Sequence, residues 1–160
     1  MSRKTAVVVG SLGVIGRNFV THLEGAQDWD IVGLSRRMPD FPGRARAISV
    51  DLLDGADCRA KLSDLHDATH VFYCAFQPRP TWAEHNAPNV AMLANSVSAI
   101  EAVAPRLERV VLLEGTKIYG SHLGPFKTPA KESDPPHMLP NFYFDQQQWR
   151  CKLGHYLPGP

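Results

Sequence analysis

The chain has 160 residues, of which 44% are hydrophobic, and its 17 basic and 16 acidic side chains give a formal net charge of +1. This size predicts one domain with one hydrophobic core, and the balanced charge argues against nucleic-acid and anionic-membrane partners. No apolar run approaches about 20 residues, three cysteines lack a C-x-x-C pair, and seven histidines lack metal-ligand spacing. We therefore expect a soluble cytoplasmic protein without a metal site or a disulfide framework.

The first predicted strand, Ala6–Val9, is an apolar run typical of a central parallel strand. A helix is predicted from Val14 to Leu23, with Gly25 as its stop. Its apolar positions are Val14, Ile15, Phe19, Val20 and Leu23. Glycines between strand and helix allow a tight turn and a close approach of the backbone to a pyrophosphate, towards which the helix N-terminus would point. We therefore predict a dinucleotide site, with an ordinary turn as the alternative. The residues of the predicted site are Gly10, Ser11, Leu12, Gly13, Val14, Ile15 and Gly16.

Strands and helices alternate in the pattern as far as about residue 115, as in doubly wound folds. The further predicted elements are strand two (Ile31–Leu34), strand three (Arg46–Val50), a short helix (Ala56–Leu65), strand four (Thr69–Ala75), a longer helix and strand five (Arg109–Leu113). Pro88 lies near the first turn of the longer helix, and Pro105 is expected to end it. The apolar stripe of this helix comprises Val90, Leu93, Ala94, Val97 and Ile100. The pattern predicts an α/β fold, a Rossmann-type doubly wound parallel sheet of about five strands in the order 3-2-1-4-5.

The segment from Gly120 to Pro140 has a different composition, because five prolines interrupt any regular element. It is predicted to form a long loop beside the carboxyl edge of the sheet. Loops of that length in compact domains are usually functional or disordered.

The end of strand two carries the triplet Ser35-Arg36-Arg37. In dinucleotide-binding folds this position faces the adenosine ribose, where a carboxylate would repel a 2′-phosphate and paired guanidinium groups can bind one. The triplet therefore favours NADPH over NADH, and two solvated arginines after a strand are the alternative. Asp51 is interpreted as a partner of the adenine amino group or, alternatively, as a turn or cap aspartate. Leu52 and Ala75 are assigned to the same cofactor-binding set.

The chain has no Y-x-x-x-K motif, since Tyr143 is followed four residues later by Gln147. Two other segments remain as candidates for the chemistry. One reads E-G-T-K-I-Y-G and follows strand five, and the other reads N-F-Y-F-D-Q-Q from Asn141 at the start of the next predicted helix. Judged from residue type alone, Tyr143 is a core or interface residue and Lys117 is a solvated one.

These segments, in this order, resemble the progesterone 5-beta-reductase/iridoid synthase-like branch of the extended short-chain dehydrogenase/reductase superfamily. The similarity includes the glycine loop, the Ser35-Arg36-Arg37 triplet, Thr69 to Tyr73, and Asn89 to Asn95. The resemblance implies Lys117 and Tyr143 as catalytic residues, NADPH as cofactor, and reduction of the activated C=C bond of an enone or enal, a small-molecule carbonyl substrate. It also implies that Tyr143 stabilises the developing enolate, while Lys117 lowers the proton affinity of the tyrosine and holds the nicotinamide ribose.

Extended members of this superfamily are longer, and their second half supplies further strands and most of the substrate pocket. We expect residues 1–147 to form a partial NAD(P)-binding Rossmann domain that lacks those C-terminal strands and the substrate domain. Residues 148–160 are expected to be an atypical, truncated or frameshifted tail. Strand five would then be an exposed apolar edge that favours a homo-oligomer. With the substrate side open to water, we expect little or no reductase activity.

Two other functions remain open from the sequence. A nucleotide-sugar epimerase or dehydratase would share Tyr119-Gly120 after strand five, but its chemistry needs tyrosine and lysine at helical spacing. A non-catalytic NADP(H)-binding or sensing protein would need only the glycine loop. Tyr119 and His122 are interpreted as structural residues.

Overall fold

A computed structural model describes residues 3–131, 133–135, 137 and 139–152. Five parallel strands form one sheet in the order β3-β2-β1-β4-β5. The strands are β1 (Lys4–Val9), β2 (Trp29–Ser35), β3 (Arg46–Ser49), β4 (His70–Tyr73) and β5 (Arg109–Leu112). In the central strand, Val7 is paired with Val32 of β2 on one side and with Val71 of β4 on the other. The predicted fold class and strand order are confirmed.

The described residues contain four α-helices and two short 3-10 helices. They are α1 (Val14–Glu24), α2 (Gly55–Lys61), the 3-10 helix Ala83–His85, α3 (Asn86–Glu101), the 3-10 helix Thr116–Tyr119 and α4 (Phe142–Lys152). Gly25 is the C-cap of α1, as predicted. The helix α2 is shorter than predicted and is capped at its start by Asp54, whose side chain accepts from the N–H groups of Ala56 and Asp57.

The described residues divide into two compact units. Residues 3–76 and 91–113 form unit 1, which contains the sheet, the glycine loop, and helices α1 and α2. Residues 77–90 and the described part of 114–152 form unit 2, which contains both 3-10 helices and α4. The residues of α3 are divided between the two units at Val90 and Ala91.

The core of unit 1 is built on β1, where Ala6, Val7, Val8 and Val9 have no exposed surface. Their burial on both faces of the sheet is the main apolar contribution to its stability. From α1, Phe19, Val20 and Leu23 pack on this core, as their spacing predicts. Val14 and Ile15 do not, because they are 85% and 54% exposed at the start of the helix, so their assignment to the apolar face is corrected.

The helix α3 differs from its prediction in two respects. It ends at Glu101, ahead of Pro105, so the proline does not end it, although Pro88 lies in its first turn as expected. Its buried surface also extends beyond a single stripe, because Asn89, Met92, Ser96 and Ala99 are buried. The Ser96 hydroxyl donates to the carbonyl oxygen of Met92 over 2.7 Å, which satisfies one of these buried polar groups.

The described residues between Gly120 and Pro140 contain no helix or strand, in line with the predicted loop. Strand β5 lies at an edge of the described sheet, and Val111 and Leu113 are 38% and 36% exposed there. The predicted atypical tail falls on 148–160, of which 153–160 lie outside the described residues. Within the described part of the chain, no helix is long and apolar enough to cross a membrane.

Candidate functional site

The glycine loop between β1 and α1 has a shape that only glycine allows at two positions. Gly10 has a φ of +84°, and a Cβ there would lie 2.7 Å from the Cα of Ala75. A Cβ on Gly16 would lie 2.3 Å from the carbonyl oxygen of Gly10. Because both obstacles are backbone atoms, neither could move aside cheaply. Ala75 is thus brought against the loop, as its assignment to this site requires.

The N–H groups of the loop serve two purposes. Gly10 and Ser11 donate from their backbone nitrogens to the carbonyl oxygen of Leu34 over 2.9 and 3.1 Å, which holds the turn against β2. The buried Ser11 hydroxyl donates to the same oxygen, so this side chain helps to shape the loop. At the start of α1 no side chain forms a cap. The first N–H groups of the helix therefore have no side-chain cap and could bind an anion, as helix N-termini do in known dinucleotide sites.

The triplet at the end of β2 presents two exposed guanidinium groups. Its backbone is held by the Ser35 hydroxyl, which donates to the carbonyl oxygen of Arg37, and by the Ser49 hydroxyl, which donates to that of Arg36 over 3.0 Å. Among the described residues, neither guanidinium has a hydrogen-bond or ion-pair partner. The arrangement places two guanidinium groups side by side, where they could bind a phosphate.

The residues after β3 are occupied in local structure. Asp51 accepts from the N–H of Leu53 over 3.0 Å and donates from its own N–H to Asp57 over 2.8 Å, which is the turn geometry given above as the alternative. Leu52 is buried, and its carbonyl oxygen accepts from Asn95 of α3 over 2.9 Å. The contribution of these two residues to a cofactor site stays a prediction.

In unit 2, Lys117 and Tyr143 come from different elements and are linked through one side chain. Lys117 lies in the 3-10 helix Thr116–Tyr119, and Tyr143 lies in the first turn of α4. The buried amide of Asn141 donates from Nδ2 to the carbonyl oxygen of Lys117 over 3.2 Å and accepts at Oδ1 from the N–H of Tyr143, also over 3.2 Å. The asparagine of the N-F-Y-F segment is therefore both the cap of α4 and its attachment to the lysine segment.

A second set of polar contacts fixes α4 to the start of α3. Gln146, fully buried, donates to the carbonyl oxygen of Asn89 over 2.9 Å. Asn86 donates to the Asp145 carboxylate one residue earlier on α4. These bonds hold the first two turns of α4, and hence Tyr143, in one orientation within unit 2.

An aromatic cluster that the sequence did not indicate lies beside the exposed Lys117. The Nζ atom of Lys117 lies 5.5 Å from the centre of the Trp82 ring, a cation–π distance. Trp82 also packs on His122, with ring centres 4.2 Å apart, and on Phe142 at 5.4 Å. Burial and the nearby Lys117 lower the pKa of His122, which makes the neutral imidazole the favoured form. His122 thus packs on Trp82, and its interpretation as a structural residue stays a prediction.

The hydroxyl of Tyr143 lies against a glycine. A Cβ on Gly115 would be 3.3 Å from the Oη atom of Tyr143, so the absence of a side chain leaves room beside the phenol oxygen. Burial and then the charge of Glu114 raise the pKa of Tyr143. The effect of Lys117 on the proton affinity of this tyrosine stays a prediction, since the causes of the upward shift are burial and Glu114.

Glu114, which the sequence did not single out, carries the most unusual environment of the site. Its Oε2 atom accepts from Nε2 of Gln147, and its Oε1 atom is buried without a hydrogen-bond partner among the described residues. Burial raises the pKa of Glu114 to about 7, and the Gln147 hydrogen bond opposes the shift. Gln147, found where a Y-x-x-x-K motif would place lysine, is thus occupied with a carboxyl group.

The parallel sheet in the order 3-2-1-4-5, with a glycine loop between the first strand and the first helix, defines a Rossmann-type fold of the short-chain dehydrogenase/reductase class. Residues 48–148 match the model of the PRISE-like Rossmann-fold domain. The chain belongs to this family.

Individual relatives agree with that assignment. The 3-oxo-Delta(4,5)-steroid 5-beta-reductase of Arabidopsis thaliana is 34% identical over an alignment of 159 positions. The match covers 89% of this chain and 40% of that protein. An (S)-8-oxocitronellyl enol synthase of Nepeta racemosa is 35% identical, with the same coverage of 89% and 40%. The chain therefore spans 40% of the length of these two curated relatives. The crystal structure of a candidate epimerase from Burkholderia cenocepacia matches with a TM-score of 0.73 at 25% identity, covering 95% of this chain and 50% of that one.

Proposed function

We propose that the chain carries the cofactor-binding and catalytic residues of an NADPH-dependent reductase that acts on the activated C=C bond of an enone or enal. The observation that carries the proposal is the Asn141 amide, which bonds to the backbone of both Lys117 and Tyr143. A lysine and a tyrosine that are not four residues apart on one helix are thereby held by a shared partner. This is the pair that the family resemblance selects.

The proposed cofactor is NADPH, which when bound supplies the hydride. The residues of unit 1 fit such a group, because the loop has no side chain at Gly10 and Gly16 and α1 begins without a side-chain cap. Arg36 and Arg37 would hold the 2′-phosphate that distinguishes NADPH from NADH. Both guanidinium groups are exposed and have no partner in the part of the chain that the structure describes, which supports this choice.

Tyr143 is proposed to donate a hydrogen bond to the carbonyl oxygen of the substrate. When the β-carbon of an enone gains hydride, negative charge develops on that oxygen, and a donor already in position stabilises it. The proton of Tyr143 is held firmly, because burial raises its pKa, so the phenol acts as a neutral donor. The proposed contribution of Lys117 is positive potential and a hydrogen bond to the nicotinamide ribose.

The relatives support the substrate class. One is named for the 5-beta-reduction of 3-oxo-Delta(4,5)-steroids, in which the reducible bond is conjugated with a ketone. We propose that this chain likewise accepts a conjugated carbonyl compound as its small-molecule partner, with the cytoplasm as its location.

The decisive experiment uses NADPH that carries deuterium at the transferred position, together with a cyclic enone and a 3-oxo-Delta(4,5)-steroid. Mass spectrometry of the products is expected to find the label on the β-carbon of a saturated ketone. A labelled allylic alcohol would contradict C=C reduction.

The same assay with a nucleotide sugar added as a third substrate separates the alternatives. The similarity to a candidate epimerase makes epimerisation of a nucleotide sugar the second candidate function, and an epimerised sugar in that reaction would favour it. Binding of NADPH without turnover of any of these compounds would agree with the low activity expected from the sequence, would contradict the proposed reduction and would favour a non-catalytic cofactor-binding protein.

A further inference from the structure

We propose that Glu114 is a positioning residue that acts through Tyr143: its buried carboxyl group sets the pH range over which the phenol hydroxyl is an effective hydrogen-bond donor. The catalytic meaning of this inference rests on the proposed function. The electrostatic coupling between the two side chains does not, and it can be measured without any substrate.

The Glu114 carboxyl group contacts the face of α4 that carries Tyr143. Gly115 directly follows Glu114, and a Cβ on it would lie 3.3 Å from Oη and 3.8 Å from Cζ of Tyr143. Residues four apart on a helix lie on the same face, so Gln147 is one turn beyond Tyr143 on that face. The Glu114 carboxyl group is bonded to Gln147. The segment Glu114–Gly115 therefore runs along the tyrosine, with its carboxyl group held at the next turn.

Few hydrogen bonds are available to stabilise a negative charge on the Glu114 carboxyl group. A carboxylate has about four acceptor positions, whereas Glu114 receives a hydrogen bond from Gln147 at Oε2 and none at its buried Oε1 among the described residues. A buried charge with so little compensation is unfavourable. The neutral form is accordingly favoured up to about pH 7, the value to which burial raises the pKa of Glu114.

Other charged groups of unit 2 have partners of their own. Lys117 lies over the Trp82 ring, Asp145 is hydrogen bonded to Asn86, and the His85 ring lies 6.0 Å from that of Phe142. Arg150 is a buried cation further along α4. The causes that raise the pKa of Tyr143 are burial first and Glu114 second.

The coupling has a direction. While Glu114 is protonated, Tyr143 has no negative charge beside it and its proton is shared more readily with a developing oxyanion. Once Glu114 ionises, the phenol holds its proton more tightly and becomes a weaker donor. We therefore expect enone reduction to slow as the pH rises through about 7.

The test is an ultraviolet titration of Tyr143 ionisation in the wild-type protein and in Glu114→Gln, with Tyr143→Phe used to subtract the other tyrosines. Removing the Glu114 charge is expected to lower the midpoint by about one pH unit. Glu108→Gln is the matched control, because that side chain is 59% exposed and its loss should leave the midpoint unchanged. Equal midpoints in the wild type and a folded Glu114→Gln would overturn the proposal.

If Glu114→Gln does not fold, Gln147→Leu provides a second test. It removes the hydrogen bond that opposes the shift, so the midpoint of the Glu114 carboxyl group, followed by carbon NMR, should rise. An unchanged midpoint would show that this contact does not control the carboxyl group and would overturn the proposal.

The pH profile of kcat distinguishes this inference from the proposed function. We expect the wild-type rate to fall through about pH 7 and Glu114→Gln to keep its low-pH rate across the same range. A shifted Tyr143 titration without enone turnover would contradict the proposed function and leave the coupling standing. Enone turnover with the same pH profile in both proteins would overturn the inference and leave the proposed function standing.

Discussion

Asn141 donates a hydrogen bond from Nδ2 to the carbonyl oxygen of Lys117 across 3.2 Å, joining residues 24 positions apart. The other atom of the same amide, Oδ1, accepts from the first turn of α4 at Tyr143. One buried side chain therefore controls both where the lysine segment lies and where the tyrosine helix begins. The relative position of Lys117 and Tyr143 therefore depends on Asn141.

Asn141→Ala should remove the cap of α4 and the bond to Lys117 together. We expect a loss of about 1–2 kcal/mol in the free energy of unfolding, measured by chemical denaturation, because a buried cap and its partner are left unsatisfied. The matched control is Asn18→Ala, since Asn18 is exposed and bonds only within α1, to Val14. Equal effects of the two substitutions would contradict the importance given to Asn141.

Gly16→Ala should damage the glycine loop. Its Cβ would lie 2.3 Å from the carbonyl oxygen of Gly10, and the obstacle is backbone. We expect a loss of about 1–3 kcal/mol in the free energy of unfolding and a matching loss of NADPH binding, followed by fluorescence titration. Gly25→Ala is the control, because the nearest atom to its Cβ is at 3.4 Å, an ordinary contact. Wild-type stability and binding in Gly16→Ala would contradict the proposed role of the loop.

Much of unit 1 was predictable because its pattern is local. The apolar run of β1, the glycines after it and the alternation of strands with helices sufficed for the strand order. The spacing of apolar residues could not show which of them remain exposed. Val14 and Ile15, at the start of α1, are examples. It also could not show that α3 is buried beyond one stripe, since this depends on what surrounds the helix rather than on its own period.

The candidate site was predictable only in part. Lys117 and Tyr143 came from the resemblance to a family, and residue type alone would not have selected them. The contact between Glu114 and Gln147 joins residues 33 positions apart, and no sequence pattern encodes such a pair. The position of Trp82 over Lys117 is likewise a tertiary contact. An acidic residue directly after a strand was the one available indication of Glu114, and many solvated residues share it.

The double substitution Arg36→Ala/Arg37→Ala should separate the two nicotinamide cofactors. Losing charge-assisted bonds to the 2′-phosphate is expected to weaken NADPH binding about 10- to 100-fold while NADH affinity is unchanged. Calorimetric titration with both cofactors measures this difference. Arg3→Ala serves as the control. Arg3 lies before β1 and forms an ion pair with Asp30 of β2, so its loss removes an arginine that is not part of the triplet. A parallel loss for both cofactors would argue against recognition of the 2′-phosphate.

The environment of Glu114 should also appear in the pH dependence of stability. Its pKa is about 7 in the folded chain against an ordinary value of 4.5, so between these values the folded state binds more protons than the unfolded state. Stability must then fall as the pH rises across this window and stay level above it. Glu114→Gln lacks this contribution. Its free energy of unfolding, relative to that of the wild type, should rise by about 1 kcal/mol from the low-pH end to the high-pH end of the window, a value that allows for solvent screening. Parallel curves of unfolding free energy against pH would contradict the assignment.

The central claim is that Tyr143 stabilises charge on a conjugated carbonyl, and Tyr143→Phe tests it most directly. The measurement is NADPH oxidation with a cyclic enone, together with the NADPH dissociation constant of the same protein. The account predicts a fall in kcat of about 100-fold or more, as for the loss of an oxyanion donor, and an unchanged NADPH affinity. Wild-type turnover in Tyr143→Phe would contradict it.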